Sequence, residues 1–262
     1  MKSGTTKTLK ERPITIGAQT RSFANKMLHA LTPYDCILCA ENSTTNTNLC
    51  PTCSQDLPLI KQPCRHCGVE TAQSVSPLLC GACILKKPVF HQCVAVMSYA
   101  SPADKLISQF KFNANFAAGL ALGEILAQEF KRHCECHGYP DVIVPIPLHQ
   151  ARLQERGFNQ ALELAKQLSF LTGTPVLNKV LTRIKNTLPQ TEIKRAGLRK
   201  SNLTKAFACI DLHAEAGVKH IALVDDVVTT GATLSEAARA LFIGGADKVD
   251  CFCVARAIRQ IN

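Results

Sequence analysis

The residues best suited to chemistry sit in one run, Ile221–Leu234, which reads IALVDDVVTTGATL. An apolar strand brings Asp225 and Asp226 to its carboxyl end, and a tight loop, Val227–Thr233, then enters a helix. Adjacent carboxylates suit the vicinal hydroxyls of a ribose, or a magnesium ion that ties them to further phosphate. Gly231 permits a backbone conformation or a close approach that a side chain would block. Thr229, Thr230 and Thr233 offer hydroxyl donors, and Ala232 keeps the loop small. The first amides of the helix face outward at the positive end of its dipole, which makes the turn a cradle for a phosphate monoester. The alternative is a strand–helix turn capped by threonine and carrying surface acids. Both acids lie at the end of an apolar strand, where charge has no packing role, so the spacing reads as a ribose-5-phosphate site. No GxxxxGK[ST] run occurs, which leaves a P-loop nucleoside triphosphatase unsupported.

The second chemical pattern is cysteine. The chain has 14 cysteines, and eight of them form four pairs with two residues between: Cys36/Cys39, Cys50/Cys53, Cys64/Cys67 and Cys80/Cys83. A CxxC turn aims two sulfurs at one centre, and two such turns complete a tetrahedral thiolate site. The expected product is a double zinc ribbon with two structural zinc ions, because four thiolates leave no open position for a catalytic water. Spacing does not say whether neighbouring or interleaved pairs share a metal. Cys93, Cys134, Cys136, Cys209, Cys251 and Cys253 read as ordinary small core or surface residues, with packing the better reading for Cys251 and Cys253 in their apolar strand.

The elements that must position these groups follow from periodicity. Residues 1–34 read as a mobile tail with a short amphipathic helix at 21–31, residues 35–89 as the zinc module, and residues 90–262 as an α/β domain. Strands are expected at Val94–Tyr99, Asp141–Ile146, Val176–Leu181, His220–Asp226 and Lys248–Ala255. Helices are expected at Pro102–Phe112, Phe116–His133, Asn159–Leu171 and Gly231–Ile243. Ile184–Ser201, polar and basic, reads as a long loop. Near-continuously apolar strands alternating with helices predict a parallel sheet covered on both faces. Ligands of such sheets bind beyond the carboxyl ends of the strands.

Composition narrows the classes. With 262 residues, 46% hydrophobic and 19% charged, the chain is an ordinary globular mixture and not a disordered one. The longest uncharged apolar stretches are about ten residues against the roughly 20 a membrane helix needs, so no membrane span is expected. The polar start of the chain has no apolar signal core, so a cytoplasmic, reducing location is expected. Aromatic residues are 5% of the chain and tryptophan is absent, which argues against an aromatic-platform RNA module. The formal net charge is +10 and clustered. Residues 179–205 hold eight Lys/Arg against Glu192 alone, and residues 1–30 hold six against Glu11 alone. Clustered positive charge attracts polyanions in a salt-dependent way. Lys185, Lys194, Arg195, Arg199 and Lys200 are the candidate nucleic-acid contacts.

The Ile221–Leu234 run resembles the phosphoribosyl-pyrophosphate (PRPP) motif of the type I phosphoribosyltransferases. Val144–Ala161 (VPIPLHQARLQERGFNQA), the basic stretch ending in Arg199–Phe207 (RKSNLTKAF) and the four cysteine knuckles together resemble the ComF competence family, over roughly Cys36 to Arg256. The resemblance implies a phosphoribosyltransferase-like domain behind a double zinc ribbon, a role in natural transformation, and single-stranded DNA as a partner, with other DNA-uptake proteins possible as partners. It implies that Asp225 and Asp226 hold ribose hydroxyls and magnesium, and that Val227, Thr229, Thr230, Gly231, Ala232 and Thr233 surround the 5-phosphate. Pro147, Leu148 and His149 fall at the family fold's pyrophosphate loop, with Arg152, Arg156 and Asn159 following as anion contacts. Arg152 and Arg156 share a face if that segment is helical. The basic stretch Lys185–Lys200 falls at the loop that closes over PRPP in the enzymes. Lys111 falls where the family carries a lysine after its first helix, its role open between the site and a surface position. No hood element that would select an acceptor base is evident. Three readings therefore stand: a DNA-handling protein with a PRPP or nucleotide site, an active phosphoribosyltransferase of nucleotide metabolism, and a zinc-dependent adaptor with a vestigial phosphate site.

Overall fold

The computed structural model describes residues 34–43, 48–71, 78–185, 206–212 and 217–257. The expected tail, the helix at 21–31 and most of the basic loop lie outside these residues.

The cysteine module opens with two short antiparallel strands, β1 (Tyr34–Asp35) and β2 (Asn42–Ser43), followed by the one-turn helices α1 (Pro51–Gln55) and α2 (Gly81–Leu85). Elements this small bury little apolar surface, so they need another source of order. They find part of it in the larger domain. The amide of Ile60 donates to the carbonyl of Val96 at 3.0 Å and that of Ser98 to Pro58 at 2.8 Å. Leu59 thus forms an antiparallel bridge with Met97. Cys36, Leu49, Cys50 and Leu57 share one buried apolar cluster with Met97, Leu106, Phe110 and Phe130.

The domain proper is built from β3 (Gln92–Ser98), α3 (Ala103–Phe112), α4 (Phe116–His137), β4 (Val142–Pro145), α5 (Gln150–Arg156), α6 (Gln160–Thr172), β5 (Leu181–Arg183), β6 (Phe207–Cys209), β7 (His220–Val228), α7 (Ala232–Ile243) and β8 (Lys248–Arg256). The main sheet has the order β3-β8-β7-β4, with every neighbouring pair parallel. Its central strands are apolar on both sides because helices cover both faces, as expected of a parallel sheet. One face packs on α3, α4 and α6 through Leu122, Leu126, Leu164 and Leu168. The other packs on α7 through Leu234, Ala237, Ala238 and Leu241, with the β5–β6 ribbon beside it. At the amino end of the sheet Asp250 is buried and accepts from His220 Nε2 at 2.8 Å, His91 Nδ1 at 3.0 Å and Lys248 Nζ at 3.1 Å. Burial opposes its charge, yet the His220 and Lys248 bonds prevail and hold its carboxyl down at about 2. Among the described residues no helix is long and apolar enough to cross a membrane.

Two expectations need correction. The acid-bearing strand does not end at Asp226 but runs on to Val228, because Val227 and Val228 continue the ladder opposite Ala255 and Arg256. The strand expected at Val176–Leu181 is divided. Val176 makes a single parallel bridge to Ile143, and the strand itself begins at Leu181 and pairs with β6 instead.

Candidate functional site

The carboxyl end of β7 meets the end of α3 through Lys111 and feels the charge of Arg183 on β5. Successive strand residues project to opposite faces, and the two acids obey this rule. Asp226, buried, turns toward α3, where its Oδ2 lies 2.8 Å from Lys111 Nζ. Its Oδ1 accepts the amide of Val227 at 2.7 Å. Asp225 accepts the amide of Asp226 at 2.9 Å and feels the charge of Arg183 on β5. Burial, and then repulsion from Asp226, push the Asp225 carboxyl up to about 7, against the pull of Lys111 and Arg183. Lys111 is therefore the ion-pair partner of Asp226 and not a solvated surface lysine.

After Val228 the chain turns through Thr229 and Thr230. Gly231 takes a left-handed conformation, φ +74°, that other residues adopt only under strain. It also caps α7 and brings no side chain to the helix end. A Cβ there would stand 3.8 Å from the ring of Phe90, so the loop rests on a buried aromatic floor. The amide of Ala232 donates to Thr230 Oγ1 at 3.3 Å, and Thr233 lies in the first turn of α7.

Pro147, Leu148 and His149 form the turn after β4, and α5 follows at once, so Arg152 and Arg156 do share a helical face. Pro147, Leu148 and Asn159 line a cleft of about 380 Å³ together with Leu153, Gly157 and Phe158. His149 and Asn159 also have architectural roles. His149 Nδ1 caps α5 by accepting from Ala151 at 3.3 Å. Asn159 caps α6 through Ala161 at 3.1 Å and donates to the carbonyl of Ile146 at 3.0 Å, which pins the turn. The Arg156 guanidinium stands 5.6 Å from the centre of the Phe112 ring and donates to Gln160 Oε1 at 3.3 Å. Gln160 in turn donates to the carbonyl of Lys111 at 3.4 Å. Arg156 is thus tied to the lysine that holds Asp226.

Arg183 and Gln160 were not singled out by residue type or spacing. Arg183 lies over the Phe207 ring at 5.6 Å. Burial, with repulsion from Arg152, lowers its proton affinity while Asp225 raises it. Arg183 therefore lies within electrostatic range of both Arg152 and Asp225. The only cue in the sequence was the basic run that begins at Lys179. Lys185 is exposed just beyond β5. Lys194, Arg195, Arg199 and Lys200 lie outside the described residues.

The eight knuckle cysteines form two successive groups, which answers the pairing question. Cys36, Cys39, Cys50 and Cys53 make one, and Cys64, Cys67, Cys80 and Cys83 the other, with all sulfurs of a group within 4.8 Å of one another. Zn–S bonds of about 2.3 Å in a tetrahedron put sulfurs about 3.8 Å apart. The structure gives 3.8 Å for Cys39–Cys50 and 3.6 Å for Cys67–Cys80, so both groups fit zinc. Backbone amides point at the sulfurs, Cys53 to Cys50 at 3.4 Å and Cys80 to Cys64 at 3.3 Å. Burial opposes the Cys64 thiolate, but such amides outweigh it and bring its thiol down to about 7, readying it for metal.

A parallel sheet carrying an acid pair into a threonine-rich loop, behind two tetracysteine groups, defines a phosphoribosyltransferase-like domain joined to a double zinc ribbon. The double zinc ribbon domain family matches residues 27–84. The chain is 33% identical to competence protein F of Haemophilus influenzae over 227 residues, 86% of this chain and 97% of that one. It is 36% identical to DNA utilization protein YhgH of Escherichia coli, over 80% of this chain and 91% of that one. It is 30% identical to competence protein ComFC of Bacillus subtilis, over 80% and 78%. The chain belongs to the ComF family of competence proteins. Among solved structures, a glutamine PRPP amidotransferase from B. subtilis aligns at 18% identity and TM-score 0.35, over 55% of this chain and 30% of that one. An allosteric regulatory enzyme of purine biosynthesis aligns at 21% identity and TM-score 0.32, over 52% and 25%.

Proposed function

We propose that this protein handles single-stranded DNA in the cytoplasm during DNA uptake, and that the end of β7 with its threonine loop binds a phosphoribosyl compound such as PRPP. The observation that carries the ligand half is the continuous arrangement from Lys111 through Asp226 and Asp225 to the loop 229–233, with Arg183 feeling the charges of both Asp225 and Arg152. The names of the relatives, competence protein and DNA utilization protein, support the uptake half. The basic residues Lys185, Lys194, Arg195, Arg199 and Lys200 are the proposed contacts to DNA phosphates.

In this reading the loop amides and hydroxyls hold the 5-phosphate, and the acid pair takes the vicinal hydroxyls of the ribose. Arg152, and Arg156 beside it, meet pyrophosphate. The donor set also suits magnesium. Two neighbouring carboxylates supply hard oxygens, and Asp225 is held above its ordinary range in a way that a divalent cation relieves. Magnesium, when bound, neutralises charge on the pyrophosphate.

Titration calorimetry with PRPP and magnesium tests the ligand half, and gel shift of single-stranded DNA at two salt concentrations tests the other. Heat of binding that is lost in an Asp225→Asn/Asp226→Asn variant is the expected result. Absence of heat in the wild type leaves the adaptor reading. The cations Lys111, Arg152 and Arg183 around this end of the sheet are also what a departing pyrophosphate needs, so release of pyrophosphate on addition of a base or amine acceptor would establish a transferase. DNA that fails to shift at low salt removes the nucleic-acid role.

A further inference from the structure

Among the described residues the exposed phenylalanines are Phe112 (68%), Phe116 (54%) and Phe170 (62%). Contacts join them into one surface on α3, α4 and α6. The Phe116 ring centre lies 5.2 Å from that of the half-buried Phe158, which in turn lies 5.5 Å from that of Phe110. Phe110 is buried, and a Cβ on Gly119 would stand 2.5 Å from its ring, so the glycine lets that ring lie against α4. Phe110 and Gly119 line a pocket of about 290 Å³ with Phe116, Leu120 and Phe170, and Glu163, Lys166 and Gln167 stand at it as the polar residues. The volume is at the small end of ligand pockets, which span roughly 300–1,000 Å³, and suits one flat ring. The surface continues into the cleft at Pro147 and Leu148, since Phe158 and Glu163 line that cleft too.

Phe112 adds a cation. The Arg156 guanidinium lies over its ring at 5.6 Å, and its hydrogen bond goes to the neutral amide of Gln160 at 3.3 Å. Among the described residues no carboxylate pairs with Arg156, so Phe112 offers a flat apolar face with an unneutralised positive charge beside it. Lys166 lies four residues before Phe170 on α6, so the two share a helical face. It meets Glu163 at 2.8 Å in an exposed pair. Such a pair contributes little in water, so the lysine charge stays available to another anion. A nucleotide in a single strand presents the matching set, a ring with free π-faces and an anion close to it. An apolar helix of a protein partner would fill the pocket but makes no use of the cation at Phe112.

We infer that bases of single-stranded DNA stack on this surface, with Phe112, Phe116 and Phe170 as the platforms and Arg156 meeting the phosphate beside the first. Resting on the DNA reading above, this surface supplies contacts to bases, which the basic run 179–205 does not. Every base has a π-face, so stacking tolerates any sequence. A duplex is excluded, because its bases already cover one another.

The test uses the full chain with zinc bound and fluorescence anisotropy of two labelled strands of equal length. One is oligothymidylate, and the other carries abasic sites throughout, which keeps the phosphates and removes the bases. The wild type should bind oligothymidylate more tightly. Phe112→Ala, Phe116→Ala and Phe170→Ala should each weaken that binding roughly 5–100-fold and leave the abasic strand unaffected. The slope of log affinity against log salt should not change in these variants, whereas Arg156→Gln should lower it by about 0.7. Phe112→Leu, apolar but not flat, should bind as weakly as Phe112→Ala. A wild type that binds neither strand removes the DNA reading, and the stacking surface with it. A wild type that binds both strands equally overturns the stacking surface alone. So do folded phenylalanine variants, with full zinc content, that bind oligothymidylate as the wild type does or lose both strands alike. Variants that keep DNA binding but turn a dimer into a monomer in sedimentation mark the face as a contact between copies of this chain, which also overturns it. If Phe116→Ala does not fold, the more exposed Phe112 and Phe170 decide by the same measurements.

Discussion

Asp225 shows how a site residue leaves a mark on stability. Its carboxyl sits near 7 in the folded chain against an ordinary 3.8, chiefly through burial and then through Asp226. The folded state therefore holds this proton more tightly than the unfolded chain does. Stability falls as pH rises between about 4 and 7, and the full cost is present above 7. Asp225→Asn removes that cost, so in magnesium-free buffer it should stabilise the protein by roughly 1–3 kcal/mol at pH 8 and by almost nothing near pH 4. Urea midpoints at the two pH values measure this, and an equal gain at both defeats the account. The same variant should lose PRPP binding, which places the residue on the function side of a stability–function exchange. Lys111→Met tests the neighbouring acid. It leaves Asp226 buried without its cation and should cost about 2–3 kcal/mol, part of which Asp226→Asn should restore in the double variant. The acid pair and the threonines were legible from the sequence because charge at the end of an apolar strand has few other uses. Arg183 and Gln160 were not. Arg183 acts through Asp225 and Phe207, and Gln160 through Lys111, all more than twenty residues away in the chain, and nothing local distinguishes either from other polar residues.

At the scale of elements, periodicity located the longer helices and the four strands of the main sheet to within a few residues, since the helices are amphipathic and the central strands apolar throughout. The short helix α5 was left open, because its seven residues include no buried side chain and so carry no apolar stripe. Nor did spacing reveal how the metal module joins the sheet, because a bridge such as Leu59–Met97 depends on backbone hydrogen bonds that leave no residue signature. That bridge has a measurable consequence. The Ser98 amide donates to Pro58 between the two cysteine groups, so zinc removal should expose it to solvent. Hydrogen exchange at Ser98 should then accelerate by at least about ten-fold on chelation, with the β7 amides less affected. Unchanged exchange at Ser98 would mean that the ribbon unfolds without disturbing the domain. Cys64→Ser should produce the same acceleration without any chelator, because its ribbon depends on metal for most of its folding free energy, roughly 10–16 kcal/mol.

For the whole molecule the open matter is whether its two proposed ligands share a surface. The net charge of +10 is concentrated in residues 179–205 and near the start of the chain, which leaves the remainder slightly acidic. The first of these runs includes Arg183, which feels the charge of Asp225, and continues into the residues proposed to contact DNA. One set of cations therefore has two candidate polyanions, the pyrophosphate of a small ligand and the backbone of a DNA strand. If both use it, they must compete, and linkage makes the effect reciprocal. Saturating PRPP with magnesium should then weaken single-stranded DNA binding by at least about five-fold, and DNA should weaken PRPP by the same factor. Fluorescence anisotropy of a labelled oligonucleotide at fixed ionic strength measures the first, and calorimetry the second. Replacing Lys194, Arg195, Arg199 and Lys200 together by glutamine should reduce the slope of log affinity against log salt by up to about 2.8, since each phosphate contact on a single strand contributes roughly 0.7. In that variant the competition should disappear along with the lost slope. Competition that survives at full strength would show that the shared surface lies elsewhere, with Arg152 and Arg183 at the carboxyl end of the sheet as the remaining place for it.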